Sequence, residues 1–289
     1  MNVLVTGGNG QLGSEIKYKI EQFCNWNFIF TDVADLDITN LTALQDFVEQ
    51  HSINAIINCA AYTAVDLAET DNNKAYLINV IGAENLGEVS KENHIKLIHI
   101  STDFVFDGRK CLPYSENDIP NPLGVYGKTK LEGEQKILET NPTAIIIRTA
   151  WLYSAYGNNF VKTMLKLGGE RAALKVVYDQ IGTPTWASDL ADVLLLLLYK
   201  SENGKEIKGV YHFSNEGTAS WYDFAFEIMS ISTSKCQVLP IETKDYPTLA
   251  QRPSYCVLNK SKIKNDLGIQ IPHWKRSLQK CIAELNNLK

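Results

Sequence analysis

The chain has 289 residues, long enough to bury one large core or a main domain with a smaller lobe. With 45% hydrophobic and 21% charged residues, 18 glycines and 9 prolines, it is not disordered, collagen-like or a coiled coil. Lys and Arg number 28 against 33 Asp and Glu, a net charge of −5, so no overall basic field draws it to nucleic acid or an anionic membrane; a local pocket for a small anion stays open.

Asn2–Thr6 is a short apolar, β-branched run closed by glycines and predicts a buried strand. A helix over 12–23 follows on the spacing Leu12, Ile16, Ile20, Phe23. Asn27–Asp32 predicts a second strand and 40–51 a helix capped by Asn40. Further strands fall at Ile53–Asn58, Ile95–Ser101 and Thr143–Thr149, separated by helical patterns at 69–92 and 127–140. Strands apolar on both faces, alternating with helices, predict a parallel sheet covered on each side. Beyond about residue 150 the rhythm loosens into single strands (Lys175–Tyr178, Val210–Phe213) among helices near 159–167, 188–200, 220–230 and 274–288. This predicts a smaller lobe woven onto the first domain, with a cleft between them. Trp221–Phe226 reads as aromatic packing in that lobe and Lys200–Lys208 as a solvated loop.

Cysteines 24, 59, 111, 236, 256 and 281 form no Cys-x-x-Cys pair and read as free thiols in a reducing compartment. The longest strongly apolar run, Val193–Tyr199, is too short to cross a bilayer, and no positively charged leader precedes Val3. The expectation is a cytoplasmic protein that engages neither membrane nor nucleic acid. Histidines 51, 94, 99, 212 and 273 lack ligand spacing, so no metal is expected from them.

Two constellations carry chemistry. Gly7-Gly-Asn-Gly10-Gln-Leu-Gly13 follows the first strand and opens the first helix. Gly7 permits a tight turn, Gly10 lets backbone approach a pyrophosphate, and Gly13 allows close helix–strand packing. Asp32 ends the second strand 19 residues after Gly13, where a carboxylate either binds an adenosine ribose or caps a turn. No Gly-Lys-[Ser/Thr] follows, which excludes a P-loop. The second constellation begins where Ile95–Ser101 runs into Thr102 and Asp103, placing a hydroxyl at the carboxyl end of a strand. Tyr126-Gly-Lys-Thr-Lys130 then puts a phenol and an ammonium on one helical face. A neighbouring ammonium favours the phenolate and lowers the phenol's pKa, which makes the pair a usable proton donor to a carbonyl being reduced.

Tyr-x-x-x-Lys after a strand-end Thr, behind the glycine turn, resembles the extended short-chain dehydrogenase/reductases. More narrowly the chain resembles the dTDP-4-dehydrorhamnose reductase family over nearly its whole length. The segments that carry this are Gly10–Gly13, Asn58–Asp66, Ser101–Gly108, Val125–Glu134, Arg148–Trp151, Gly157–Phe160, Asp179–Thr185 and Arg252-Pro253. The resemblance implies a Rossmann-type doubly wound parallel sheet over 1–150, with later segments returning to it, and a smaller C-terminal substrate lobe over 151–289. It implies reduction of the C4 keto group of dTDP-4-dehydro-L-rhamnose by NADPH or NADH, in the last step of dTDP-L-rhamnose synthesis. Tyr126 would protonate the sugar oxygen, Lys130 would hold the nicotinamide ribose, and Thr102 would hydrogen-bond near the tyrosine and the keto oxygen. Gly7, Gly10, Gln11, Leu12, Gly13, Asp32, Asp37, Ile38, Ala61, Tyr62 and Thr63, with Tyr126 and Lys130, map to the cofactor. Thr102, Asp103 and Trp151 map to the sugar nucleotide. Asn159, Lys162 and Arg252 would add amide and cationic groups in the second part, Arg252 as a fork for the diphosphate.

Three positions depart from the family pattern: Phe104 replaces a frequent Tyr, Cys256 a common Ser, and Ser188 (beside Asp189) a glutamate. Some members bridge a homodimer through Mg²⁺ held by glutamates; Glu15 is present here but its later partner is not. Two other functions remain open at the level of sequence. One is a sugar-nucleotide epimerase or dehydratase, which usually keeps NAD⁺ bound through turnover. The other is a non-catalytic regulatory subunit like the β-subunit of methionine adenosyltransferase.

Overall fold

The computed structural model describes residues 1–20 and 25–287. Phe23 of the first helical pattern, the expected free thiol Cys24, and Leu288 of the last helical pattern lie outside the described residues. The first part of the chain contains β1 (Asn2–Thr6), α1 (Gln11–Lys19), β2 (Asn27–Thr31), α2 (Leu41–Gln50), β3 (Ala55–Asn58), α3 (Val65–Ala68), α4 (Asn72–Tyr76), α5 (Gly82–Glu92), β4 (Lys96–Thr102), α6 (Val125–Thr140) and β5 (Ile145–Thr149). The second part contains β6 (Leu152–Tyr153), α7 (Phe160–Glu170), β7 (Ala173–Val177), β8 (Ile181–Gly182), β9 (Thr185–Trp186), α8 (Ala187–Glu202), β10 (Gly209–His212), β11 (Ala219–Ser220), α9 (Trp221–Ile231), β12 (Gln237–Ile241), α10 (Ser261–Leu267) and α11 (Trp274–Asn287).

Six parallel strands form one sheet in the order β2-β1-β3-β4-β5-β10. Because side chains alternate along a strand, Val3, Val5, Ala55 and Ile57 pack with α1 and α8 on one face. Leu4 and Ile56 face α2, α5 and α6 on the other. Burial on both faces is why these strands read as continuous apolar runs. The chain winds outward from β1 to β2, then crosses to β3 on the far side of β1. That reversal opens a crevice at the carboxyl ends of β1 and β3, the place where such sheets bind ligands.

The second part returns to the sheet through α8 and β10. The remainder forms a separate apolar core from β6, α7, β7, β9, α9 and α11, including Tyr153, Phe224, Trp274 and Leu278. Paired strands join it: β7 with β12, β8 with β11, and β6 with β9.

The pattern at 69–92 is not one helix. After α4 the chain makes a π turn over Leu77–Ile81 before α5 begins. The Asn79 side chain, in that turn, accepts from Tyr62 N–H (2.9 Å) and donates to Tyr62 C=O (3.2 Å) and Thr129 Oγ1 (3.1 Å). Gly133 of α6 closes on the same turn; a Cβ there would lie 2.1 Å from the Asn79 carbonyl oxygen. The turn thus locks α6 against the crevice.

Candidate active site

A cleft of about 850 Å³ opens along the crevice and is lined from both parts of the chain. At one end lies the glycine turn. Gly7 has φ +67°, and a Cβ there would sit 2.7 Å from Ala60 N, so only glycine fits. Gly13 faces the backbone of Gly7 and Gly8, where a Cβ would come within 2.5 Å of Gly7 O, so its role is packing. The N-terminus of α1, at Gly10, has no side-chain cap. Its first-turn N–H groups are therefore left for an anion in the cleft, which Gly7, Gly10, Gln11 and Leu12 line.

Asp32 stands just past β2 and lines the cleft, yet its carboxylate also accepts from Val33 N–H (2.8 Å) and Asn9 N–H (3.3 Å). Both functions foreseen for it, cleft carboxylate and turn cap, are thus compatible. Asp37 lines the cleft while accepting from the Thr39 N–H and hydroxyl, and Ile38 packs against Gly82 of α5. Ala61 and Thr63 line it too, whereas Tyr62 is not among the lining residues; its peptide is held by Asn79 instead.

The second cluster sits at the centre of the cleft. Thr102 ends β4, accepts from Phe104 N–H (3.2 Å) and donates to Asp103 Oδ1 (3.1 Å). Burial pushes Asp103 up to about 7, against the Thr102 hydrogen bond. α6 begins over Glu69, whose carboxylate accepts Val125 N–H (2.8 Å) and so caps the helix that carries Tyr126. Burial pushes the Tyr126 phenol up to about 12, with Thr102 pulling down and Asp103 pushing up. Lys130 lines the same cleft, one helical turn on, and is 2% exposed.

The expected lowering of Tyr126 by Lys130 does not occur in this structure. The Lys130 Nζ is committed to Ile100 C=O (2.7 Å) and lies 3.1 Å from His99 Nε2, on the sheet side of its helix. A shared helical face fixed the two Cα positions and left the direction of a long, flexible side chain open. Burial instead brings Lys130 down to about 8, with Glu134 and Cys59 opposing.

α6 is tied to the sheet by Glu134, which takes a forked pair from Arg148 of β5 (Nη2–Oε2 2.6 Å, Nε–Oε1 3.0 Å) and the Ser101 hydroxyl. Phe104, where the family often has Tyr, places its ring edge-on to Tyr126 at 5.6 Å. Cys256 is buried and donates weakly to the Asp103 carbonyl (3.6 Å).

Among the predicted substrate residues, Trp151 and Arg252 line the cleft. Trp151 adopts φ +46° and stacks on Trp221 at 3.6 Å, so one face of its indole is covered. Arg252 forks onto Asp66 through Nη1 (3.1 Å) and Nη2 (2.7 Å), and Nη1 also donates to Ala250 C=O. Asn159 lines the cleft, but its amide caps α7 and bridges to Gln11 Oε1 (3.0 Å) and Ser154 C=O (2.7 Å). Lys162 is not a lining residue; its ammonium turns to Ala155 C=O (3.3 Å). Asn159, through Gln11, joins the two parts of the chain, whereas the Lys162 contact stays within the second.

Glu15 is fully buried, accepts from the Ser154 hydroxyl (2.6 Å), and is pushed by burial up to about 7. Ser188 opposes that rise only weakly, while Asp189 is engaged by Asn215 and Ser277. Among the described residues no group of three or more His, Cys, Asp or Glu side chains is placed to hold a metal ion. A buried, near-neutral carboxyl is a poor fit for Mg²⁺, which prefers ionised oxygen ligands.

Sequence reasoning missed Glu69, Asn58 and His99. The first caps α6 from 56 residues away, a contact no local pattern announces.

Residues 1–287 match the family model described as RmlD substrate binding domain. The chain belongs to this family. It is 43% identical over 284 residues to a dTDP-4-dehydrorhamnose reductase of Aggregatibacter actinomycetemcomitans, covering 96% of this chain and 97% of the relative. A crystal structure of a dTDP-4-dehydrorhamnose reductase from Clostridium acetobutylicum superposes with TM-score 0.94 at 44% identity, covering 99% and 100% of the two chains. A second, from Bacillus anthracis in complex with NADP, gives TM-score 0.93 at 40% identity and covers 98% and 99%.

Proposed function

We propose that this protein reduces the C4 keto group of dTDP-4-dehydro-L-rhamnose to give dTDP-L-rhamnose, using NAD(P)H. The observation that carries this is the meeting, in one cleft, of an uncapped helix N-terminus with Thr102, Tyr126 and Lys130. The residues present fit a dinucleotide. The glycine turn and the first N–H groups of α1 would hold the pyrophosphate, Asp32 the adenosine ribose, and Ala61, Thr63 and Lys130 the nicotinamide half. NAD(P)H bound there supplies the hydride.

The chain's own residues handle the proton. Tyr126, pushed up to about 12, is fully protonated at pH 7 and gives its phenolic proton to the keto oxygen. Thr102 stands beside Tyr126, and turning its hydroxyl proton from Asp103 Oδ1 to the phenolic oxygen stabilises the phenolate left behind. Asp103, near 7, accepts that proton before the reaction.

Arg252 recognises the diphosphate. Asp66 occupies the Nη1–Nη2 end of its guanidinium, and that anchoring presents the free Nε–Nη2 edge as a second fork. Trp151, stacked on Trp221 and with Gly182 against its ring, forms the cleft wall beside the rest of the nucleotide. On this division, residues 1–150 carry the hydride chemistry and the later lobe sets substrate choice. The described cysteines are all free, which suits a reducing cytoplasm, and among the described residues no helix is long and apolar enough to cross a membrane.

Turnover of a panel of 4-keto sugar nucleotides with NADPH and NADH tests the reading. The dTDP-linked 6-deoxy-L-sugar is the expected best substrate. Cofactor binding without turnover of any member would favour a regulatory protein.

A further inference from the structure

Behind Lys130, four buried polar side chains form a row from β1 through β3 and β4 to α6. Thr6 Oγ1 donates to Asn58 Oδ1 (2.6 Å), Asn58 Nδ2 lies 2.8 Å from His99 Nδ1, and His99 Nε2 lies 3.1 Å from Lys130 Nζ. All four are at most 2% exposed, and the reduction as proposed uses only the last.

The direction of the row is set at its far end. The Ala60 N–H points at Asn58 Oδ1 (3.1 Å). A backbone N–H only donates, so the Asn58 oxygen must face Ala60 and Thr6, and its NH₂ must face His99. His99 Nδ1 is therefore an acceptor. Burial holds the ring neutral, well below the usual histidine range, so it carries one proton, and that proton sits on Nε2, aimed at Lys130. An ammonium has three donors and no lone pair, and makes no bond with a facing N–H. A neutral amine has a lone pair that accepts it. The bond from Lys130 to Ile100 C=O is available to both forms.

We infer that Asn58 and His99 are positioning residues that favour the neutral amine of Lys130 by presenting it with an N–H in place of a lone pair. The groups around the amine agree. Glu134 on the same helix is held by Arg148 of β5. Tyr126, one turn earlier, and Cys59, after β3, are each pushed by burial up to about 12 and stay protonated. Lys130 itself is brought down to about 8. A lysine in this state titrates near neutral pH, where an ordinary lysine is a permanent cation. The row ends at Thr6 and the Ala60 backbone, so it sets the state of the amine and carries no proton to solvent.

Nuclear magnetic resonance of the intact protein, labelled at histidine and lysine, tests this without turnover. In the wild type, ¹H–¹⁵N correlations should place the His99 proton on Nε2, and the Lys130 signal, identified by its loss in Lys130→Met, should titrate near pH 8. Asn58→Asp removes the NH₂ and offers His99 Nδ1 an acceptor. The ring proton should then move to Nδ1, and the Lys130 midpoint should rise by roughly one unit or more. A wild-type proton on Nδ1, or a wild-type midpoint at the ordinary lysine value of about 10.4, overturns the inference. So does a rise in Asn58→Asp without the tautomer change, since charge alone explains that. Should Asn58→Asp fail to fold, the wild-type tautomer and midpoint decide. The outcome does not depend on the sugar, so failure here leaves the reductase reading standing.

Discussion

Replacing Arg252 by Ala separates the two ligands of the cleft. The side chain is 24% exposed and is anchored by Asp66, itself 40% exposed. Losing that half-open ion pair should cost only about 0.2–1 kcal/mol of stability, so the variant should fold. The loss in binding is larger. The free Nε–Nη2 edge makes charge-assisted hydrogen bonds to a diphosphate, worth about 1.5–3 kcal/mol. At about 1.4 kcal/mol per tenfold, this predicts a fall of roughly 10- to 150-fold in kcat/KM for the sugar nucleotide. The fall should appear mainly in KM, because the diphosphate is remote from the proton and hydride. Arg252→Lys should lie between, since an ammonium keeps the charge without the fork. Steady-state kinetics with varied sugar nucleotide, beside a fluorescence titration of NADPH, measures both effects. An equal loss of NADPH affinity, or an unchanged KM, would refute the assignment of Arg252 to the substrate.

Tyr126→Phe should lower kcat by roughly 10²–10⁴-fold with cofactor affinity preserved; near-normal kcat removes Tyr126 from the proton transfer. Asp32→Ala should improve NADPH relative to NADH in kcat/KM, because a carboxylate repels a 2′-phosphate, and no gain would sink the ribose assignment. Arg148→Ala strands the buried Glu134 (2% exposed) and should cost about 3–5 kcal/mol in denaturant unfolding; a loss under about 1 kcal/mol would mean the pair is not structural. Burial raises the Glu15 carboxyl from its ordinary 4.5 to about 7, so the stability this group contributes is full below pH 4.5 and is lost as pH rises through 7. Glu15→Gln has no proton to lose, and its Tm should gain on wild type between pH 5 and pH 8; a constant difference contradicts the raised value.

The glycine turn and the strand–helix rhythm were legible because their causes are local. A positive φ at Gly7 and strands buried on both faces leave marks in a few adjacent residues. The π turn was not legible, because it depends on the Asn79 side chain reaching Tyr62 and Thr129, 17 and 50 residues away. The same holds for β12, which has exposed residues along its length and pairs with β7 as a strand of the second part. At the site, helical spacing placed Tyr126 and Lys130 correctly but said nothing of what each side chain meets. Lys130 turns to β4 because Ile100 C=O and His99 offer it partners there. Asn159 and Lys162 looked like ligand groups by type alone; a helix cap and a nearby carbonyl claim them.

Transfer of deuterium tests the central claim most directly. NADPH deuterated at the nicotinamide C4 is incubated with dTDP-4-dehydro-L-rhamnose and the protein, and the product is read by mass and NMR spectra. The account predicts dTDP-L-rhamnose carrying deuterium at C4 of the sugar, with the transfer suppressed in Tyr126→Phe. Oxidised cofactor without label in the sugar, or a reduced sugar formed as fast by Tyr126→Phe, would contradict it.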